Sequence, residues 1–402
     1  MSAPVQPPTP LPLEGIRVID FGRFIAGPYC CMMLADMGAD VIRVDRRQGS
    51  EDRYTCPVTA DGEGAGFLSL NRNKRGITLD TSKPAATEVI RRLTKTADVV
   101  VANLPVAVLA KLGLDYESLR AIKPDIILAR ISAFGPDGPY SHRLGFDSVV
   151  QAMSGAMSLT GFPDAPVRSA VWFEDYGTAL HTAFGVMAAL HYRSRTGQGQ
   201  IVDGSLLATG VTFMQAMLAE RHVLGIERRS QGNAGFYSGP TDVYRTRDGW
   251  IAVHTVGGDM FARWAKLVGH EELIGDPRFA DDSSRADHYQ ILAGAMNAWL
   301  NARSTAEALK ELEAARVPAG PVQNLDQVLD DPQVRARHLL EYVDYPGAPK
   351  PVPLASPPVR LSATPGGIRR RAPRLGEHTT EVLKELGYSD AEVHSLHDEQ
   401  VV

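Results

Sequence analysis

The residue types that could do chemistry fall in four short stretches. Val171-Trp-Phe-Glu-Asp175 is apolar and aromatic up to two adjacent carboxylates, and a buried helical pattern begins there. A carboxylate at a helix start meets free backbone N–H groups and the positive end of the helix dipole, so Asp175 reads first as an N-cap anion. The aromatic approach and the long apolar helix behind it set Asp175 apart from an ordinary cap. Asp20-Phe-Gly-Arg-Phe-Ile-Ala-Gly27-Pro28 is a strand-to-helix turn whose glycines let backbone N–H groups approach a phosphate or simply close a tight connection. The Gly22–Gly27 spacing is not GxGxxG, so a nicotinamide fingerprint is absent. Asp45-Arg46-Arg47 ends the next strand. An acid there suits a ribose hydroxyl, whereas arginines suit a ribose phosphate such as the 3′-phosphate of coenzyme A. Asn71-Arg-Asn-Lys74-Arg75 is a second basic knot, and two such knots in one sheet domain point to an anionic ligand.

Other chemistries find little footing. His394 and His397 lie three apart without further ligands and read as a surface helix, so no metal site is expected. There is no GxSxG elbow. Cys30 and Cys31 sit in an apolar helical stretch and read as core packing.

The elements that position these residues alternate. Ile16–Asp20, Asp40–Asp45, Ala97–Ala102, Pro124–Ile131 and Gln200–Asp203 read as strands, with a helix over Gly27–Met37 and helical stretches between later strands. Such alternation predicts a parallel sheet wound with helices on both faces. Phe146–Met157 and Tyr176–Tyr192 read as buried helices, and Ser205–Leu224 as another. Ser230–Pro240 is a glycine-rich linker, followed by a hairpin of Thr241–Thr246 and Trp250–Val256 around Arg247-Asp248-Gly249. Helices over Met260–Val268, Ala286–Ala302 and Ser304–Ala315 complete a small α+β unit. A Pro-rich tail over Tyr345–Pro358 leads to a last helix at Thr379–Leu386. The expected domains are 1–205 (large, sheet-based), 206–240 (linker helix and glycine-rich loop), 241–317 (small) and 318–402 (returning to the large domain).

Composition sets the class. The 402 residues carry 42 Lys+Arg against 47 Asp+Glu, a net charge of −5, which excludes a general electrostatic grip on nucleic acid. Apolar residues are 44% and charged residues 22%, as in folded proteins with a sizeable core. Three cysteines make no disulfide framework, Met1–Pro12 has neither the charged nor the apolar region of an export signal, and no run suits a membrane span. A cytoplasmic enzyme is the expectation.

Four phrases in order then resemble the class III CoA-transferases, the family of formyl-CoA transferase and carnitine CoA-transferase. They are LEGIRVIDFGRFIAGPYCCMMLADMGADVIRVDRR from Leu13, NRNKRGITLD from Asn71, EDYGTALHTAFGVMAALHYRSRTGQGQIVD from Glu174 and APRLGEHTTEVLKELG from Ala372. The resemblance runs from Leu13 to Val402. It implies a Rossmann-like large domain with a parallel sheet assembled from both chain ends, a smaller α+β domain, and two subunits threaded as interlocked rings. It implies that Asp175 is the catalytic aspartate, and that Arg23, Phe24, Ile25 and Ala26 line the CoA and acyl site. Arg46 would meet the CoA nucleotide; Asn103, Leu104 and Lys111 would be further CoA contacts. Lys74 and Arg75 of the basic knot, with Phe146 and Asp147, complete the candidate binding set. The family's mobile loop has its nearest counterpart in Gly232–Gly239, which is less glycine-pure.

The implied chemistry suits the residues. A carboxylate ionised at neutral pH attacks an acyl-CoA thioester without a general base. The aspartyl anhydride is reopened by the CoA thiolate to an aspartyl-CoA thioester, and an acceptor acid then takes the CoA. No permanently bound cofactor is expected, coenzyme A thioester being the substrate; no nucleic acid or membrane partner is expected either. The nearest rival, an α-methylacyl-CoA racemase, uses a histidine where Leu144-Gly-Phe-Asp147 carries Phe146, which removes that base. A CoA-binding protein without turnover is the other alternative.

Overall fold

Residues 10–402 are described in a computed structural model, so the reading of Met1–Pro12 falls mostly outside the described residues. Six short stretches, four of them rich in Val and Ile, form parallel strands: β1 (Arg17–Asp20), β2 (Asp40–Asp45), β3 (Lys74–Thr78), β4 (Val99–Ala102), β5 (Ile127–Ser132) and β6 (Ile201–Ser205). They pair in the order β3-β2-β1-β4-β5-β6, the doubly wound arrangement in which the strand order reverses beside β1.

Successive side chains point to opposite faces of a strand, and both faces here are apolar. Val18, Val41, Val99 and Val101 pack with α1 (Ala26–Asp36) on one face, and so does α3 (Phe173–Thr196) through Ala179, Val186 and Ala189. Ile19, Ile42, Ile77 and Val100 pack on the other face with the helices Ala86–Thr96 and Thr379–Glu385. The chain's last segment therefore closes the core begun by its first. Two shorter helices flank α3: α2 (Asp147–Met153) and α4 (Leu206–Phe213).

The chain divides into two compact units. One comprises the chain up to Ser154, Ala170–Met214 and Gln333–Val402; the other comprises Gly155–Ser169 and Gln215–Pro332. The second unit is built on an antiparallel sheet of β7 (Thr241–Arg245), β8 (Trp250–His254) and β9 (Ala319–Pro321), with β8 central. Trp264, Phe261, Phe279, Leu292 and Met296 fill its core. Within it the glycine-rich stretch is tied down: Gly232 N–H donates to the Gly161 carbonyl at 2.7 Å and Gly235 N–H to the Thr241 carbonyl at 2.8 Å.

Several expectations need correction. Lys74-Arg75, which is not among the expected strands, opens β3, where carboxylates neutralise both cations. The helix expected over 146–157 stops after Met153, where Gly155 adopts a left-handed φ of 91° that a continuing helix cannot use. The helix of 205–224 is interrupted at Met214, and that of 286–302 begins only at Tyr289 after a separate turn. The helix read over 176–192 starts at Phe173 and is not buried all round, since Leu180, Phe184 and Met187 are exposed along one stripe. A helix at Asp390–Asp398, closed by a Ser389–Glu392 capping box, carries His394 and His397 as read.

Candidate active site

Ligands of doubly wound sheets sit beyond the carboxyl ends of the strands, at the reversal of strand order. Here that edge carries the β1–α1 turn and the residues after β4. Gly22 N–H donates to buried Asp20 at 2.7 Å, and a Cβ on Gly27 would lie 2.9 Å from Gly22 Cα. These glycines allow close backbone packing, and the Gly22 donor is consumed inside the turn; the turn is a tight connection, not a phosphate cradle built from that N–H. Asn103 clasps the turn from both sides: Arg23 N–H donates to its Oδ1 at 2.7 Å and its Nδ2 donates to the Arg23 carbonyl at 2.8 Å. Leu104 beside it packs half-buried on the core.

The clasp presents the next residues outward. Phe24 adopts φ 59°, uncommon for a bulky side chain, and its exposed ring meets Phe146 edge-on at 5.6 Å between centroids. Ile25 precedes α1 and Ala26 is its buried first residue. The Arg23 guanidinium donates to the Gly22 carbonyl at 2.8 Å and the Phe21 carbonyl at 3.3 Å, and pairs with no carboxylate among the described residues. It is a positive charge at the site's edge without a bonded counter-ion.

Phe146 leads directly into Asp147, the first residue of α2, and Asp147 does what Asp175 was expected to do. Its Oδ2 accepts the N–H groups of Glu174 at 2.9 Å and Asp175 at 3.2 Å, while Gln151 Nε2 donates to its Oδ1 at 2.5 Å. The free donors at the start of α3 are therefore satisfied by a carboxylate from another helix. Asp175 is the third residue of α3 and not its N-cap. Among the described residues nothing donates to its carboxyl oxygens. Burial, then the charges of Asp147 and Glu174, push it up to about 7. Burial and like charge thus work against the full ionisation at neutral pH expected from the sequence.

Glu174 was not singled out from the sequence. Its side chain is fully buried, with Oε1 accepting from Ser154 Oγ at 3.1 Å and Oε2 without a partner. Burial and the Asp147 charge push it up to about 7, opposed by the Ser154 bond. Gly210 of α4 lies against it, where a Cβ would come within 2.5 Å of Oε1. The ring of Tyr176, next after Asp175, meets Tyr29 of α1 edge-on at 4.9 Å, tying the start of α3 to the helix that follows the β1 turn. Direct contacts thus link Arg23, Phe24, Asn103, Phe146, Asp147 and Asp175 around one edge of the sheet.

The other candidates stand apart from that group. Arg46 is exposed after β2 and pairs with Glu51 at 2.7 Å. Lys111 is exposed on the helix Val106–Leu112. Lys74 is fully buried, with Nζ donating to Asp20, the Pro28 carbonyl and Asn71, each at 2.8 Å. Arg75 is shared among Asp40, Glu381 and Glu385. Both cations sit at the opening of β3 with their charges paired to carboxylates, Lys74 through Asp20 of the β1 turn. Asp45 is likewise withdrawn from a ribose: although burial opposes it, Arg43 and Arg53 hold it well below the usual carboxylate range, at 3.0 and 2.7 Å. No group of three or more metal-ligating side chains occurs among the described residues, and no helix there is long and apolar enough to cross a membrane.

A doubly wound sheet with an unbonded carboxyl beside its reversal point defines a site for acyl or nucleotide chemistry, and comparison narrows the class. The chain belongs to CoA-transferase family III, whose profile matches residues 13–379, and it is a CoA-transferase. It is 38% identical to a succinate–glutarate CoA-transferase of Agrobacterium fabrum over 93% of this chain and 96% of that one. It is 34% identical to a succinyl-CoA–D-citramalate CoA-transferase of Chloroflexus aurantiacus, over 98% of each. A crystal structure of a CAIB/BAIF family protein from Brucella suis superposes with a TM-score of 0.82 at 34% identity, covering 94% of this chain and all of that one.

Proposed function

We propose that the protein transfers CoA from a dicarboxylic acyl-CoA, of which succinyl-CoA is the type, to a second carboxylic acid, with Asp175 as nucleophile. The observation that carries this reading is the Asp175 carboxyl itself, half-buried at the start of α3 and bonded by no donor among the described residues. Its carboxylate oxygen attacks the thioester carbonyl carbon; the C–S bond breaks and CoA leaves as thiolate. The thiolate then attacks the Asp175 carbonyl of the anhydride, releasing the donor acid as carboxylate and leaving an aspartyl-CoA thioester. The acceptor carboxylate repeats the first attack on that thioester, and the returning thiolate takes the acceptor's acyl group, restoring Asp175. Charge is conserved in each step and no proton moves, so the protonation requirements are an ionised Asp175 and an ionised acceptor acid. A racemase is disfavoured because Phe146 offers no group to carry a proton.

The substrate class is supported by the relatives' names, which pair succinate or succinyl-CoA with glutarate, D-citramalate and mesaconate. Arg23, a cation bonded only to carbonyls, is suited to the far carboxylate of such an acyl group. Arg46, Asn103, Leu104 and Lys111 are the proposed CoA contacts, with Phe24, Ile25, Ala26 and Phe146 along the acyl side. The active form is proposed as an interlocked homodimer. Leu180, Phe184 and Met187 form an exposed stripe on α3 that a second copy would cover. Three unpaired cysteines suit a cytoplasmic setting. The test is a panel of succinyl-, acetyl- and formyl-CoA against mono- and dicarboxylic acids, read by mass spectrometry for wild type and Arg23→Ala. Dicarboxylates should dominate, and the variant should lose that preference by about tenfold or more. An unchanged acid preference in the variant would refute the role of Arg23.

A further inference from the structure

Three carboxyl groups meet at the start of α3 with no cation bonded to any of them among the described residues, and the mechanism above uses only one. Asp147 holds the two helix N–H groups. Glu174 precedes the nucleophile, is fully buried, and leaves Oε2 unpartnered. An unpartnered buried carboxyl oxygen is costly, so its retention beside a nucleophile calls for a reason.

We propose that Glu174 is a positioning residue that sets the basicity of the Asp175 carboxylate by presenting it with a neutral or a negative neighbour. The inference rests on Asp175 being the nucleophile. The surroundings of Glu174 supply the argument. From α2 it faces Asp147 and the Ser154 hydroxyl just beyond that helix; from α4 it faces the backbone at Gly210, with no charged side chain. Its own carbonyl accepts from the Thr178 hydroxyl, whose oxygen lies 2.9 Å from Thr209 Oγ1, and Thr209 also meets His181 at 3.2 Å. Tyr176, on the other side of Asp175 in sequence, packs edge-on against Tyr29 and brings no cation. None of these contacts puts a positive charge on Glu174 Oε2. A proton on Glu174 therefore removes a like charge next to Asp175 and favours the ionised nucleophile; losing it does the reverse. Both carboxyls are pushed up to about 7, burial first and neighbouring carboxylates after, so their titration ranges overlap. A more basic carboxylate is also the stronger nucleophile once ionised.

The test follows the rate of covalent adduct formation on Asp175 with succinyl-CoA against pH, by mass spectrometry, in wild type, Glu174→Gln and Ser154→Ala. Glutamine keeps an oxygen for Ser154 and is always neutral, so the adduct midpoint should fall by about half a pH unit or more, making the variant roughly threefold faster than its own scaled wild-type curve on the acid side. Ser154→Ala removes the bond that favours ionised Glu174 and should move the midpoint the same way, by less. It also serves if the Gln variant folds poorly. Adduct formation with an unmoved midpoint in the variants overturns the role of Glu174 and leaves Asp175 as nucleophile. No adduct in any of the three proteins overturns both.

Discussion

At the scale of single residues, the site is governed by carboxyl groups buried without cations, with like charge adding to the effect of burial. Asp175 and Glu174 both rise to about 7 from ordinary values of 3.8 and 4.5. Their protons are held more tightly in the folded state than in the unfolded chain. Stability from this source is present in full below the unfolded values and is lost as pH climbs through the folded ones. Asp175→Asn removes one such group without touching the helix cap, which Asp147 provides. The variant should therefore melt higher than wild type, with a gain that grows between about pH 4 and about pH 7 and then levels off in calorimetry, while CoA transfer is abolished. A variant that melts no higher than wild type at about pH 8 would contradict the raised titration of Asp175.

At the scale of elements, the apolar alternation of β1, β2, β4 and β5 was legible, because strands buried on both faces show it directly in Val and Ile. The glycine turn after β1 was legible as well, since close backbone approach leaves few residue types. β3 was not. Lys74 and Arg75 look like a surface knot until distant carboxylates are brought against them, and Glu381 and Glu385 lie more than three hundred residues away, by 306 and 310. The cap of α3 was illegible for the same reason, as Asp147 stands 28 residues before the N–H it accepts. Glu174 carried no signal at all, because its burial depends on Gly210 admitting it. The internal pairing of Lys74 is testable. Lys74→Met leaves buried Asp20 without its bonded cation, and should cost about 3–5 kcal/mol in denaturant melts. A variant of unchanged stability with weakened acyl-CoA binding would restore Lys74 to the ligand.

At the scale of the whole molecule, the last segment of the chain completes the sheet's core: Val382, Leu383 and Val402 pack against the same cluster as Ile19 and Ile42. The exposed stripe on α3 is the largest departure from the buried helix read in the sequence, and 76% exposure of the Phe184 side chain needs a cover. In solution the protein should sediment at twice the chain mass and remain so on dilution, because interlocked rings separate only by unfolding. A monomer at about micromolar concentration would contradict the interlocked arrangement.

The central claim is that Asp175 is acylated. Incubation with succinyl-CoA and no acceptor acid completes the first half-reaction only, so the activated carboxyl should accumulate on this residue. Hydroxylamine should convert it to a hydroxamate and borohydride should reduce the thioester, each marking Asp175 by mass in a peptide digest. Modification confined to Asp175, and absent from Asp175→Asn, is the predicted result. An unmodified Asp175 in an enzyme that is turning over, or an Asp175→Asn protein with near-normal turnover once deamidation back to Asp is excluded, would contradict it.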